Sequence, residues 1–204
     1  MTQEATTEAT TEESQEATHP AALAWGWPLW LAVTFTVFLS WPLGIVLGDY
    51  NIPLYVVFVV WVEYFVFEAK PSALKIMIPN FIYGAATVSV GTLLFVWVVG
   101  LGLISNPEWN TVLALSLAYF PVIGALVKGM DFYANAHPLP VFNGVAMTLG
   151  VFFTASYWPL TDNVYGLVLL ALAACVAAGL VGGAAAYYNV AITVPRKEAA
   201  QTSG

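Results

Sequence analysis

Charged residues are scarce in this sequence. Only 8% of its 204 residues are Asp, Glu, Lys or Arg, whereas soluble domains carry about 25%. A chain with so few charges and 60% hydrophobic residues cannot cover a water-facing surface with polar groups. The sequence therefore predicts an integral membrane protein that is surrounded by the lipid bilayer.

Cysteine and histidine are rare in the sequence, and catalytic motifs are absent. The single cysteine, Cys175, excludes a disulfide within the chain and a cysteine metal cluster, and the two histidines, His19 and His137, lie far apart in the sequence. The motifs of nucleotide-binding loops, serine hydrolases, zinc proteases and dithiol proteins do not occur. We therefore expect no metal, no cofactor and no enzymatic activity. The net charge of -7 argues against nucleic-acid binding.

The acidic residues that are present cluster near the start of the chain. Five of the 12 Asp and Glu residues lie there, namely Glu4, Glu8, Glu12, Glu13 and Glu16. The surrounding Thr-rich stretch has no apolar periodicity, so we expect residues 1–22 to form a disordered cytoplasmic tail. Residues 23–195 are predicted to form the membrane domain, and residues 196–204 a short second tail.

The rest of the chain consists of continuous apolar runs separated by turn residues. The turns read GDYNIP, EAKPS, SNPEWN, GMDFYANAHP and WPLTDN. Continuous runs favour helices over the alternating strands of a barrel, so the predicted fold is all-α, a bundle of six transmembrane helices. The predicted segments are 25–47, 52–67, 76–104, 111–127, 139–158 and 164–194, of which the second and fourth are short for a bilayer.

The basic residues predict the orientation of this bundle. With six crossings, all five fall on one face, and Asp49, Glu108 and Asp162 mark the other face. Because positive residues favour the cytoplasmic side, we expect a multi-pass protein of the inner or plasma membrane with both termini in the cytoplasm. The five basic residues are Lys70, Lys75, Lys128, Arg196 and Lys197.

Glycines at helical spacing indicate where helices approach one another. Such faces bring two backbones close together in lipid, and most of them are expected to hold the bundle together. The Gly- and Ala-rich face of the sixth segment is an alternative candidate for a pore wall or for the interface of a homo-oligomer. The predicted packing glycines are Gly44, Gly48, Gly84, Gly91, Gly179 and Gly183.

Two parts of the sequence are similar to each other and to a known family. AKPSALKIMIPNFIYGAA and ANAHPLPVFNGVAM share a polar turn, a proline, a Phe, an Asn and a Gly, which suggests an internal repeat. WVEYFVFEAKPSALKIMIPNFIYGAATVSVG, followed by PLPVFNGVAMTLGVFFT, resembles the bacterial inner-membrane family filed as domain of unknown function 1097. Over roughly residues 27–193, the resemblance implies a multi-helix membrane protein of transporter or channel type, without an established substrate.

Glu63 is the strongest candidate for a functional residue. It lies in the apolar run VVFVVWVEYFVFEAK, one helical turn before a predicted membrane boundary. A carboxylate in hydrocarbon is costly unless it is paired, solvated or protonated. Glu63 is therefore expected to face protein or water, either paired with Lys75 or Lys128 or lining a water-filled vestibule.

Three further polar residues are candidates for contact with a solute. Asn80 and Asn143 each follow a proline and precede a glycine, and their amides could line a pore or form structural hydrogen bonds. His137 lies in a polar loop and could act as a pH gate. With Glu63, they favour a channel or facilitator for a small neutral or weakly acidic solute. The alternative is a non-transporting scaffold or accessory subunit that docks a partner through the acidic tail.

Overall fold

The computed structural model describes residues 26–133 and 135–193, so the predicted tails lie outside the described residues. The described chain forms six α-helices, and its one β pairing is a parallel bridge between Trp27 and Thr193. The all-α prediction and the number of helices are therefore confirmed. The helices are α1 (Leu29–Ile45), α2 (Leu54–Val66), α3 (Pro71–Gly100), α4 (Pro107–Met130), α5 (Pro138–Phe153) and α6 (Val164–Ile192).

The helix ends follow local sequence signals. α3, α4 and α5 each begin with a proline, whose missing N–H group costs no hydrogen bond at the first helical position. The side chains of Asn106 and Asn163 cap α4 and α6 by accepting hydrogen bonds from backbone N–H groups, at 3.1 and 3.0 Å. α2 ends at a tight turn in which Glu68 and Ala69 have φ values of 62° and 54°.

Four helical stretches are long and apolar enough to cross a membrane, namely Gly48–Val66, Pro71–Gly100, Pro107–Met130 and Val164–Ile192. The fourth predicted segment was expected to be short, but α4 has 24 residues, because it begins at Pro107 and continues through Lys128. α1 and α5 are apolar but have only 17 and 16 residues. At 1.5 Å per residue they span about 25 Å, slightly less than a hydrocarbon core of about 30 Å.

α3 lies at the centre of the bundle. It packs against α4, α5 and α6, while α2 packs chiefly against α6, and α1 packs beside α6 and α2. The main core cluster lies among α2, α3 and α6 and includes the fully buried side chains of Tyr64, Met77 and Phe81. α4 sits at the edge of the bundle, where its contacts are mainly with α3.

α3 and α5 approach each other most closely at two glycines. A Cβ atom on Gly84 would overlap the carbonyl oxygen of Val141, and one on Gly144 would overlap the carbonyl oxygen of Phe81. Val141 lies three residues before Gly144, and Phe81 lies three residues before Gly84. The two helices therefore make equivalent contacts with each other. This equivalence does not extend to α2 and α4, which have different neighbours. The internal repeat stays a prediction.

The other glycines play different roles. Cβ atoms on Gly91 and Gly179 would lie 2.9 Å from Tyr119 and 2.8 Å from Phe81, and Gly182 approaches the carbonyl oxygen of Val57. The glycine face of α6 is therefore filled by α2 and α3 of the same chain. Gly44 lies against Leu54 and Gly183 against Ile78, whereas Gly48 has no neighbour within 4 Å and occupies a turn with a φ of 59°. The sequence analysis did not single out Gly144 or Gly182.

The two ends of the described chain lie together. The backbone N–H of Trp27 donates a hydrogen bond of 2.9 Å to the carbonyl oxygen of Ile192. The ring of Phe67, after α2, lies 4.6 Å from the ring of His137, before α5. With the alternating directions of the helices, these contacts place the α2–α3 turn, the α4–α5 loop and both ends of the described chain at one end of the bundle.

Candidate functional site

Glu63 lies on the inner side of α2, one turn before the helix ends. Only 2% of the residue is exposed, and neither carboxyl oxygen accepts a hydrogen bond of standard geometry from the described residues. The expected pairing with Lys75 or Lys128 does not occur. Lys128 instead pairs with Asp131 at 2.7 Å, and Glu68 pairs with Lys70 at 2.6 Å. Glu63 is therefore a buried acid without an ionic partner in the described part of the chain.

Asn143 is the polar side chain that faces this acid. It interacts with the carboxyl group of Glu63 from α5. Both residues line a cavity of about 370 Å³ in the seam between α2 and α5, together with Phe58, Val59, Val62, Val66 and Leu139. Val62 and Val66 are 62% and 63% exposed, so the cavity opens to the outer surface of the bundle. The site is an apolar recess with one carboxyl group and one amide at its wall.

Asn80 is fully buried and its hydrogen bonds are local. Its amide nitrogen donates to the carbonyl oxygens of Ile76 and Asn135, at 2.7 and 2.9 Å, and its amide oxygen accepts from the backbone N–H of His137 at 3.0 Å. Asn80 thus ties α3 to the loop that precedes α5. The structure does not bring Asn80 and Asn143 face to face, since Asn143 turns toward α2.

His137 is the residue immediately before α5. Its backbone bonds to Asn80, and its ring packs edge-on against Phe67. The Nδ1 atom is buried and has no hydrogen-bond partner among the described residues. The four predicted site residues therefore form one pair at the cavity, Glu63 with Asn143, and one structural junction, Asn80 with His137.

A further buried amide, Asn189, was missed by the sequence analysis. Its side chain on α6 donates hydrogen bonds to the carbonyl oxygen of Ala32, at 3.1 Å, and to the hydroxyl group of Thr36 on α1. Its amide oxygen has no partner among the described residues. The available signal was a polar residue inside an apolar run, which is the same signal that pointed to Glu63. Asn189 joins α1 to α6 and lies away from the cavity.

Among the described residues, no group of three or more His, Cys, Asp or Glu side chains could hold a metal ion. The polar groups at the cavity are one carboxyl group, that of Glu63, and one amide, that of Asn143. A carboxyl group and an amide at the wall of an apolar recess are suited to hydrogen bonding with a polar group of a small molecule.

The chain was compared with protein-family models, curated proteins and solved structures, and none of them matches it.

Proposed function

We propose that this chain is an integral membrane protein of six crossings that facilitates the passage of a small solute. The observation that carries this proposal is the buried, unpaired carboxyl group of Glu63 beside Asn143. Intramembrane acids are costly and commonly mark solute or ion pathways. The resemblance to domain of unknown function 1097 points in the same direction, and membership of that family is part of the proposal.

The proposed mechanism is that of a carrier whose seam opens. α2 packs chiefly on α6, and α5 packs chiefly on α3, so the seam between α2 and α5 has few contacts of its own. The cavity at Glu63 lies in this seam and opens to the outer surface of the bundle at Val62 and Val66. A solute would bind at the carboxyl group and the amide, and movement of α2 relative to α5, which have few direct contacts, would open a path for it along the seam.

A flux assay in proteoliposomes tests this function. Purified full-length protein is reconstituted, and the uptake of a panel of small amines, amides and short acids is compared with uptake by empty liposomes. We expect at least one class to enter faster through the parent protein. Glu63→Gln and Asn143→Ala should both lower that rate by about tenfold or more, as expected for the loss of a buried polar contact.

The matched control is Glu68→Gln, because Glu68 is an exposed carboxylate five residues after Glu63. Its hydrogen bond with Lys70 lowers the pKa of Glu68, so it is ionised at neutral pH. This variant should transport like the parent. Uptake equal to that of empty liposomes for every solute would overturn the proposal.

The second candidate function is that of a non-transporting scaffold or accessory subunit. It is favoured by the outer face of α4, where a groove of about 1430 Å³ runs past Tyr119 and Phe120 to Lys128 and Asp131. Phe120 is 85% exposed, the largest exposure among the described large hydrophobic residues. Since the glycine face of α6 is filled within the chain, α4 is also the face that we propose for a homo-oligomer.

The mass of the purified protein tests the use of α4. Native mass spectrometry of the detergent-solubilised parent should give a multiple of the 21.9 kDa chain, and Phe120→Arg should shift it to the single chain. A single-chain mass for the parent would remove the homo-oligomer. If flux is also absent, the scaffold function would replace the facilitator.

A further inference from the structure

We propose that the Glu63–Asn143 cavity binds an aliphatic ammonium ion, with its charged nitrogen at Glu63 and its hydrocarbon chain in the adjoining crevice between α1 and α2. This inference deepens the proposed function by naming its substrate class, and it shares its site.

The acceptors at the cavity match an ammonium group. The two carboxyl oxygens of Glu63 are buried without a hydrogen bond of standard geometry from the described residues, and the Asn143 amide faces them. A primary ammonium group has three N–H donors and a positive charge, so it can satisfy both carboxyl oxygens at once. A cation at this position would compensate the cost of an ionised carboxyl group in an apolar site.

The walls of the cavity match the hydrocarbon part. Apart from Glu63 and Asn143, its lining is aliphatic or aromatic. Phe58 and Val62 also line a second recess of about 420 Å³ between α1 and α2, so the two recesses adjoin across these residues. The second recess is lined by Leu29, Val33, Val37, Phe58, Trp61, Val62 and Phe65. It offers an apolar surface to a hydrocarbon chain that passes over the exposed side chain of Val62.

The same geometry disfavours other solutes. A short carboxylic acid would bring a second negative charge against Glu63, which is unfavourable at close range in an apolar site. A neutral alcohol or amide could donate a hydrogen bond but brings no charge that would compensate an ionised Glu63. The preferred solute is therefore a cation, whereas the sequence analysis expected a neutral or weakly acidic one.

The ammonium group could come from two sources. One is a free alkylamine, and the other is the amine headgroup of a phospholipid such as phosphatidylethanolamine. Both present the same nitrogen chemistry to Glu63, and the exposed mouth of the cavity at Val62 and Val66 would admit either from the bilayer.

The test is a binding measurement on the full-length protein in lipid nanodiscs. Hexylammonium is titrated into discs made of phosphatidylglycerol, which contains no amine, and the signal of empty discs is subtracted. We expect saturable binding to the parent, at least about tenfold tighter than binding of hexanol or hexanoate. Glu63→Gln should weaken it by about tenfold or more, and Glu68→Gln should leave it unchanged.

A second pair of variants keeps the test valid if Glu63→Gln fails to fold. Val62→Trp adds a bulky ring at the wall shared by the two recesses and leaves the carboxyl group in place, so it should weaken binding. Val90→Trp places the same ring at a similarly exposed position of α3, 59% exposed against 62% for Val62, and should bind like the parent.

The outcomes separate the two sources and the two proposals. If phosphatidylethanolamine in the discs competes with hexylammonium, the source is a lipid headgroup, and if it does not, the source is a free amine. Equal binding by the parent and Glu63→Gln, or no binding by the parent, would overturn the inference. Binding without flux would support the ammonium site and contradict the facilitator function. Flux of neutral or acidic solutes alone would support the facilitator function and contradict the ammonium site.

Discussion

At the residue scale, the contrast between Glu63 and Asn80 decides where the site lies. Both are almost fully buried polar residues within apolar runs. Asn80 uses both N–H donors and its amide oxygen in three hydrogen bonds, two of them to the loop before α5, so its side chain has a structural role. Glu63 has acceptors without partners. Buried polar groups are normally satisfied, and an unsatisfied one calls for an explanation.

The stability of two Asn variants tests this division of roles. Asn80→Ala removes three hydrogen bonds and leaves the backbone groups of Asn135 and His137 without this partner. We expect it to lower the free energy of unfolding by about 2 kcal/mol or more. The matched control, Asn143→Ala, removes only the interaction with the Glu63 carboxyl group and should cost less than about 1 kcal/mol. Chemical denaturation in detergent measures both, and equal losses would contradict the assignment.

Sequence reasoning reached part of this site. An acid within an apolar run predicts a side chain that faces protein, and Glu63 does so. The partner could not be predicted, because it depends on which residue of α5 turns toward α2 and not on distance along the chain. Asn80 and Asn143 have similar flanking residues, and only the fold of the loop around Asn135 distinguishes them.

At the element scale, the glycine contacts between α3 and α5 hold the bundle together. Gly84 and Gly144 allow each helix to reach a backbone carbonyl group of the other. This approach brings α5 into the position from which Asn143 faces α2. The arrangement resembles the small-residue contacts by which helices associate in lipid.

A glycine series tests the contact. Gly84→Ala and Gly144→Ala should each lower the free energy of unfolding by about 2 kcal/mol, because the new methyl group overlaps a carbonyl oxygen that cannot move aside without shifting a helix. Gly124→Ala is the control, since a Cβ atom there would meet nothing within 4 Å. It should leave stability unchanged or raise it slightly. A tolerated alanine at both contact sites would show that the helices are not held so closely.

Helix centres could be predicted from hydropathy, but several ends could not. α3 and α4 extend through Lys75, Glu108 and Lys128 because a charged residue can occupy the end of a helix and reach toward water. A search for apolar runs treats these residues as breaks. α5 was expected to continue to residue 158 and instead ends at Phe153, where Ala155 adopts a positive φ of 51°.

At the scale of the whole molecule, the number of crossings determines which loops share a side of the membrane. α3, α4, α6 and the stretch Gly48–Val66, which contains α2, have the length and hydropathy of membrane spans, whereas α1 and α5 have only 17 and 16 residues. The bundle places Lys70 and Lys128 at one end, and the turns that contain Asp49 and Asp162 at the other. Six crossings would explain this separation of charge. If α5 did not cross, Lys128 and Asp162 would lie on the same side of the bilayer.

Cysteine accessibility in intact cells is the most direct test of this central claim. Single cysteines replace Asp49, Lys70, Lys128 or Asp162 in a Cys175→Ala background, and a membrane-impermeant maleimide is added from outside. We predict labelling at positions 49 and 162 in intact cells, and at positions 70 and 128 only after the membrane is permeabilised. Labelling of 128 and 162 from the same side, or of 70 and 128 from opposite sides, would contradict the six-crossing bundle.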